Sequence, residues 1–81
     1  MKPVGKITHY YGRVKVAVVD LHGELKVGDS VRIEKEGDGF DQVVSSMQIE
    51  KEDVEKGGKG DKVSIKVIQV PKKGSLVIVE E

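Results

Sequence analysis

The nine residues Arg13–Leu21 read RVKVAVVDL, and they decide the fold class of this chain. The run begins with strict alternation of charged and apolar residues and becomes apolar on both faces at residues 16–19. Period-two alternation predicts a β-strand, and apolar residues on both faces are typical of a strand that is covered on both sides. We therefore expect this stretch to be a buried strand.

The same alternation recurs outward from this stretch in short runs that are separated by glycine-containing turns. The runs cover residues 4–11, 13–21, 30–36, 41–50, 62–70 and 75–79. Short strands with turn signals at a spacing of roughly 8–12 residues are typical of sandwiches and barrels. The sequence therefore predicts one all-β domain over residues 1–81, a small closed or nearly closed six-stranded antiparallel β-barrel, because closure removes exposed sheet edges.

Strict alternation also predicts which side chains share a face of the sheet. In the first run it places Ile7, His9 and Tyr11 together, opposite Lys6, Thr8 and Tyr10. In the fourth run it places Val43 and Met47 on one face, together with Ser45 and Ile49.

The residues in the connections between strands also predict local structure. In the connection at residues 25–29 we expect Leu25 and Val27 to point inward and Gly28 to adopt a positive φ. A turn is expected at residues 37–39. In the charged connection at residues 50–61 the lone apolar residue, Val54, is expected to pack against one end of the barrel.

The composition limits the classes of function. Fourteen basic and fourteen acidic residues give a net charge of zero, so nucleic-acid contact would need a local patch rather than a basic domain. The absence of cysteine excludes disulfides and thiolate metal sites and favours the cytosol. No apolar run is long enough to span a bilayer, so we expect no membrane partner. The 35% of charged residues, mostly Lys and Glu, suggest a thermophilic source.

Three segments in order resemble the barrel domain that follows the GTPase domain in elongation factor Tu and initiation factor 2. They are VGKI at 4–7 leading into VAVV at 16–19, LKVGDSVRI at 25–33, and VSSMQ at 44–48 followed by GDKVSI at 60–65. This resemblance covers nearly the whole chain. It implies a translation-factor domain II-like barrel and a non-catalytic binding module that contacts RNA or a ribonucleoprotein, either tRNA or the ribosome. The phosphate-loop motif of the GTPase domain is absent, so no nucleotide or other cofactor is expected.

One stretch interleaves aromatic rings with cations and is the candidate RNA-binding site. Aromatic faces stack on unpaired bases, worth about 1–3 kcal/mol per base, while Arg and Lys contact phosphate. The family's tRNA-binding pattern has glycine at the position of Val14 and an acidic residue at that of Ser46, so we expect general RNA or ribosome contact rather than a pocket for the tRNA end. The alternative is that these side chains only pack on the barrel wall or face solvent. The candidate residues are His9, Tyr10, Tyr11, Arg13 and Lys15.

The remaining clusters are weaker. Lys56, Lys59 and Lys62, with the backbone amides of residues 57–58, could form an anion-binding concavity, or simply a solvated loop. Asp29, Asp38 and Asp41 lack EF-hand spacing, so no metal site is predicted. Ser45 and Ser46 with His9 or His22 lack the acid and the oxyanion hole that nucleophilic catalysis needs, so no enzymatic activity is expected.

A second interpretation belongs to another functional class. The chain would be a protein-interaction module that docks onto a separately encoded enzyme, as similar barrels do when they are appended to collagenase-like peptidases and RNA-modifying proteins. Zero net charge favours this protein partner, whereas the clustered Tyr, Arg and Lys side chains favour RNA.

Overall fold

The computed structural model describes residues 3–80, and every regular element within them is a β-strand. In this part of the chain no helix is long and apolar enough to cross a membrane. The ten strands are β1 (Pro3–Tyr11), β2 (Val16–Leu21), β3 (Leu25–Lys26), β4 (Ser30–Lys35), β5 (Asp38–Val43), β6 (Met47–Ile49), β7 (Glu52–Asp53), β8 (Lys56–Gly57), β9 (Lys62–Lys66) and β10 (Leu76–Val79). The all-β prediction is confirmed.

Eight of these strands form one antiparallel sheet in the order β5-β4-β10-β1-β2-β9-β6-β7, and β3 pairs with β8 separately. The strand predicted from RVKVAVVDL is β2, which pairs with β1 on one edge and with β9 on the other. Its residues Ala17 and Val19 are fully buried, whereas Val16 and Val18 on the other face are half-buried. The sequence therefore identified an inner strand, although only one of its faces is completely covered.

The sheet does not close through its backbone, because the ladder ends at β5 on one side and at β7 on the other. Closure of the barrel is therefore not confirmed. The side chain of Gln42 spans the gap between β5 and the end of β9, including the residues just after it. Its Nε2 donates to the carbonyl of Lys66 at 2.8 Å, and its Oε1 accepts from the Ile68 amide at 2.9 Å. One amide side chain thus makes the donor and acceptor contacts that a ladder residue would make.

The predicted strand over residues 41–50 is wrong, because two strands with different neighbours share that run. β5 pairs with β4, whereas β6 pairs with β9 and β7. Between them Val44 leaves the ladder. Its carbonyl accepts from the Gly28 amide at 2.8 Å, and its amide donates to the Asp29 carbonyl at 2.9 Å. As a result Val44 is buried and Val43 is exposed, so the predicted common face of Val43 and Met47 does not exist.

The core consists of aliphatic side chains from long and short strands and from two residues outside the strands, Val44 and Val67, together with one methionine and one phenylalanine. Fully burying one such large side chain is worth about 1.5–3 kcal/mol. Leu25 is buried and Gly28 has a φ of 97°, both as predicted, whereas Val27 is exposed and its predicted inward orientation is wrong. Val54 is half-buried against the core. The buried apolar residues are Ile7, Ala17, Val19, Leu21, Leu25, Val31, Ile33, Phe40, Val44, Met47, Val63, Ile65, Val67 and Val77.

Two hairpins have two-residue turns in which both residues are left-handed. Glu36 and Gly37 (φ 52° and 85°) join β4 to β5, and Glu50 and Lys51 (φ 51° and 68°) join β6 to β7. These are the dihedral signs of a type I′ turn, whose twist matches that of the strands. The first turn was predicted at residues 37–39, but it begins one residue earlier and ends two residues earlier. Gly39 therefore falls inside β5, where an added Cβ would overlap the carbonyl oxygen of Ile33.

Candidate functional site

A β-bulge in β1 determines which of the candidate residues at 9–15 face outward. Ile7 is opposite Val19 in β2, but His9 is opposite Val18, so Thr8 is an extra residue in the ladder. An extra residue shifts the alternation by one position. The predicted common face of Ile7, His9 and Tyr11 is therefore wrong: Ile7 is buried, whereas His9 and Tyr11 are exposed.

The bulge separates the two tyrosines. Tyr10 turns toward the interior and packs against the core. On the outside, the rings of His9 and Tyr11 lie against each other with centroids 4.5 Å apart and planes inclined by 50°. The structure thus brings His9 and Tyr11 together but removes Tyr10 from the outer surface.

The two cations of the stretch lie in the connection from β1 to β2. Arg13 and Lys15 are exposed, and neither forms an ion pair with any residue in the described range 3–80. Lys15 has a left-handed backbone (φ 56°), and its carbonyl accepts a hydrogen bond of 3.0 Å from the amide of Val67. This bond fixes the tip of the β1–β2 hairpin against the segment that follows β9.

Several exposed apolar residues adjoin the residues of this contact along the backbone. Val14 lies beside Lys15, Ile68 beside Val67, and Val43 beside Gln42, whose side chain binds the Ile68 amide. Val70 follows two residues later. We call this set the end surface: its members are exposed by between 52% and 72% of their area, and they are Tyr11, Val14, Val43, Ile68 and Val70. Val43, Ile68 and Val70 were not among the candidate site residues predicted from the sequence. The apolar pair at residues 67–68 was a usable signal, because two neighbours in a strand cannot both face the core.

A shallow pocket of about 280 Å³ adjoins the end surface at Val70. Phe40 and Ile33 line it together with Pro71. At its rim Lys72 Nζ lies 2.9 Å from Asp38 Oδ2. The hydrogen bond and the charge of Lys72 hold the pKa of Asp38 below its ordinary value, and Asp38 in turn raises that of Lys72. Of the polar side chains in the lining, Asp38 and Lys72 are paired with each other and Ser75 Oγ donates to the Lys72 carbonyl.

The lysines at 56, 59 and 62 do not surround a free amide at Gly58. That amide donates to Asp61 Oδ2 at 2.9 Å, so a carboxylate of the chain itself occupies the place where an anion would bind. Lys56, Lys59 and Lys62 are all exposed. The Gly58 amide is therefore not free to donate to a bound anion, as the anion-site hypothesis required.

The three aspartates considered for a metal each have a separate partner. Asp29 Oδ2 accepts from the Lys26 amide at 3.0 Å, Asp38 binds Lys72, and Asp41 Oδ2 lies 3.4 Å from Arg32 Nη1. Among residues 3–80 no group of three His, Cys, Asp or Glu side chains lies close enough to hold a metal ion. Beside Arg32, a hydrogen bond with Asp41 raises the pKa of Glu80.

Comparison with known proteins points to peptidases. No family model matches the chain. Over 75 residues it is 36% identical to an uncharacterised protease of Methanocaldococcus jannaschii, a match that covers 91% of this chain. The chain spans only 18% of the length of that protease. It is similar to one segment of a protease.

Two crystal structures share the fold. The C-terminal domain of a putative U32 peptidase from Geobacillus thermoleovorans superposes with a TM-score of 0.91 at 18% identity, over 99% of this chain and 93% of that domain. Its selenomethionine variant gives 0.84 at 19% identity, over 99% and 100%. At such identities the likeness establishes the fold alone.

These findings correct the family and function inferred from sequence. The similarity is to peptidase-type proteins, so the assignment to domain II of a translational GTPase is wrong, and so is the RNA- or ribosome-binding function that it implied. The reason lies in the segments that carried the resemblance. Their apolar residues are mostly core positions, such as Leu25, Val31 and Ile65, which are fully buried. Such residues encode a fold and carry no information about a ligand.

Proposed function

We propose that this chain is a non-catalytic accessory domain of a cytosolic, peptidase-type protein, in which a larger part carries out hydrolysis. The observation that carries the proposal is the alignment with one segment of a protease at 36% identity, while most of that protease lies outside the match. The fold supports it, because the same architecture occurs as the C-terminal domain of a putative U32 peptidase.

The side chains of the described residues favour a non-catalytic role. Peptide hydrolysis needs a nucleophile or a metal-bound water, a base within hydrogen-bond reach and a site that stabilises the oxyanion. His9 packs on Tyr11, and the hydroxyl of Ser75 in the pocket donates to the Lys72 carbonyl rather than facing a base. A binding or docking role needs only a rigid surface.

The test is a chimera in which this chain replaces the matching segment of the Methanocaldococcus jannaschii protease. Hydrolysis of a set of denatured proteins is compared for the natural protease, the chimera, the protease without the segment, and the 81-residue chain alone. We expect the chimera to retain the activity of the natural protease, the deletion protein to lose activity, and the isolated chain to show none.

Two results would contradict the proposal. One is hydrolysis by the isolated chain. The other is a chimera that circular dichroism shows to be folded but that is no more active than the deletion protein.

A further inference from the structure

Five exposed apolar side chains at one end of a domain of this size require an explanation. Single exposed hydrophobic residues are normal on protein surfaces, but clustered ones mark interaction sites. Of the seven large apolar side chains exposed among the described residues, only Val27 and Leu76 lie outside the end surface. Most of the exposed large apolar side chains among the described residues therefore belong to the end surface.

The end surface is also held in place before any partner binds. The bond from the Val67 amide to the Lys15 carbonyl (3.0 Å) fixes the β1–β2 hairpin tip, and the bond from the Ile68 amide to Gln42 Oε1 (2.9 Å) fixes the segment that bears Ile68. A surface ordered in advance loses less conformational entropy on association. Such rigidity favours docking over adaptable binding to many ligands.

On the sides formed by the β1–β2 hairpin and by the segment after β9, the charges around the end surface are cationic, whereas Asp38 and Asp41 lie on its β5 side. The chain as a whole is neutral, yet residues 9–19 and 62–79 contain no Asp or Glu. Their cations Arg13, Lys15 and Lys66 are exposed, and none has an ion-pair partner within residues 3–80. An apolar centre with a cationic rim is complementary to an apolar face bordered by carboxylates.

We propose that the end surface docks onto the remainder of the peptidase-type protein, on an apolar face bordered by Asp and Glu side chains. This inference rests on the proposed function, in which the domain belongs to a larger protein. The chain matches only 18% of the length of the protease, so the rest of such a protein is available to cover the end surface. The docked side chains are Tyr11, Val14, Val43, Ile68 and Val70, with Arg13, Lys15 and Lys66 at the rim.

Hydrogen–deuterium exchange tests the inference in the chimera, with the 81-residue chain alone as the reference. We expect the amides of residues 12–16 and 67–70 to exchange at least about tenfold more slowly in the chimera, which corresponds to about 1.4 kcal/mol of docking. The substitution Ile68→Lys should remove this protection, because it places a charge in the apolar contact. The matched control Val27→Lys, an exposed valine outside the end surface, should leave it unchanged.

The outcomes separate this inference from the proposed function. Protection of other parts of the domain, with residues 12–16 and 67–70 unprotected, would overturn the choice of surface while the accessory role stands. Equal exchange in the chimera and the isolated chain at every amide would overturn docking itself. Loss of hydrolysis in a chimera that shows the expected protection would overturn the accessory function but leave the docking surface intact.

Discussion

The side chain of Gln42 holds β5 to the end of β9 and to the segment after it, so its replacement should destabilise the fold and release the end surface. Gln42→Met keeps a similar volume but removes both the donor to Lys66 and the acceptor for Ile68. A typical intramolecular hydrogen bond contributes about 0.5–1.5 kcal/mol net, so the two together predict a loss of about 1–3 kcal/mol in the free energy of unfolding. For a domain of this size each kcal/mol lowers Tm by roughly 4–8 °C.

Gln42→Glu tests the same contacts more specifically, because its effect on the free energy of unfolding depends on pH. The new carboxylate can still accept from the Ile68 amide, but it faces the Lys66 carbonyl where the amide donated. Burial and that carbonyl raise the pKa of the new group in the folded state, since only the protonated form can donate. A carboxyl whose pKa is raised on folding contributes its stability below the unfolded pKa of about 4.3 and loses it as pH rises through the folded value.

Urea denaturation at pH 7 and pH 4 measures both effects, with wild type and Gln42→Met treated in parallel. We expect the deficit of Gln42→Glu relative to wild type to shrink at pH 4, and that of Gln42→Met to stay constant. The reasoning is refuted if Gln42→Met loses less than about 0.5 kcal/mol, or if the deficit of Gln42→Glu is the same at both pH values.

Three further predictions concern a turn, a glycine inside β5 and the pocket rim. Lys51→Gly should stabilise the domain by about 0.5–1 kcal/mol in urea denaturation, because it relieves a left-handed lysine; a loss would contradict this. Gly39→Ala should cost about 1–3 kcal/mol, since its Cβ would overlap the Ile33 carbonyl; a neutral result would disprove the overlap. In an NMR titration Lys72→Met should raise the pKa of Asp38 toward its ordinary value, and an unchanged pKa would exclude the ion pair as its cause. The stability that Lys72 gives is present above the ordinary Asp pKa and is lost as pH falls through the lowered one, so the variant should be less sensitive to acid.

The positions of strands could be predicted from the sequence where the alternation is unbroken between two turns. β2 and β4 were located within a few residues because each pairs along its whole length with fixed neighbours. The run at residues 41–50 alternates just as regularly, yet it contains two strands. The interruption results from the hydrogen bonds between Val44 and the distant residues Gly28 and Asp29. The residues next to Val44 in the sequence carry no signal for these bonds.

The candidate site was only partly predictable. The sequence located the exposed hairpin tip at Arg13 and Lys15, but a single extra residue at Thr8 reversed the expected orientation of His9 and Tyr11. A bulge of this kind depends on how two strands pair and leaves no clear mark on an alternating pattern. The strand expected over residues 62–70 is shorter, because β9 ends at residue 66 and Ile68 and Val70 lie in the irregular segment that follows it.

Site-specific photo-crosslinking in the chimera tests the docking of this domain most directly. A photoreactive amino acid is placed at residue 68 in one protein and at residue 27 in another, and the crosslinked peptides are identified by mass spectrometry. Our account predicts that the probe at residue 68 crosslinks to the large part of the protease, near carboxylate side chains, and that the probe at residue 27 does not. Equal crosslinking from the two positions, or crosslinks only within the domain itself, would contradict it.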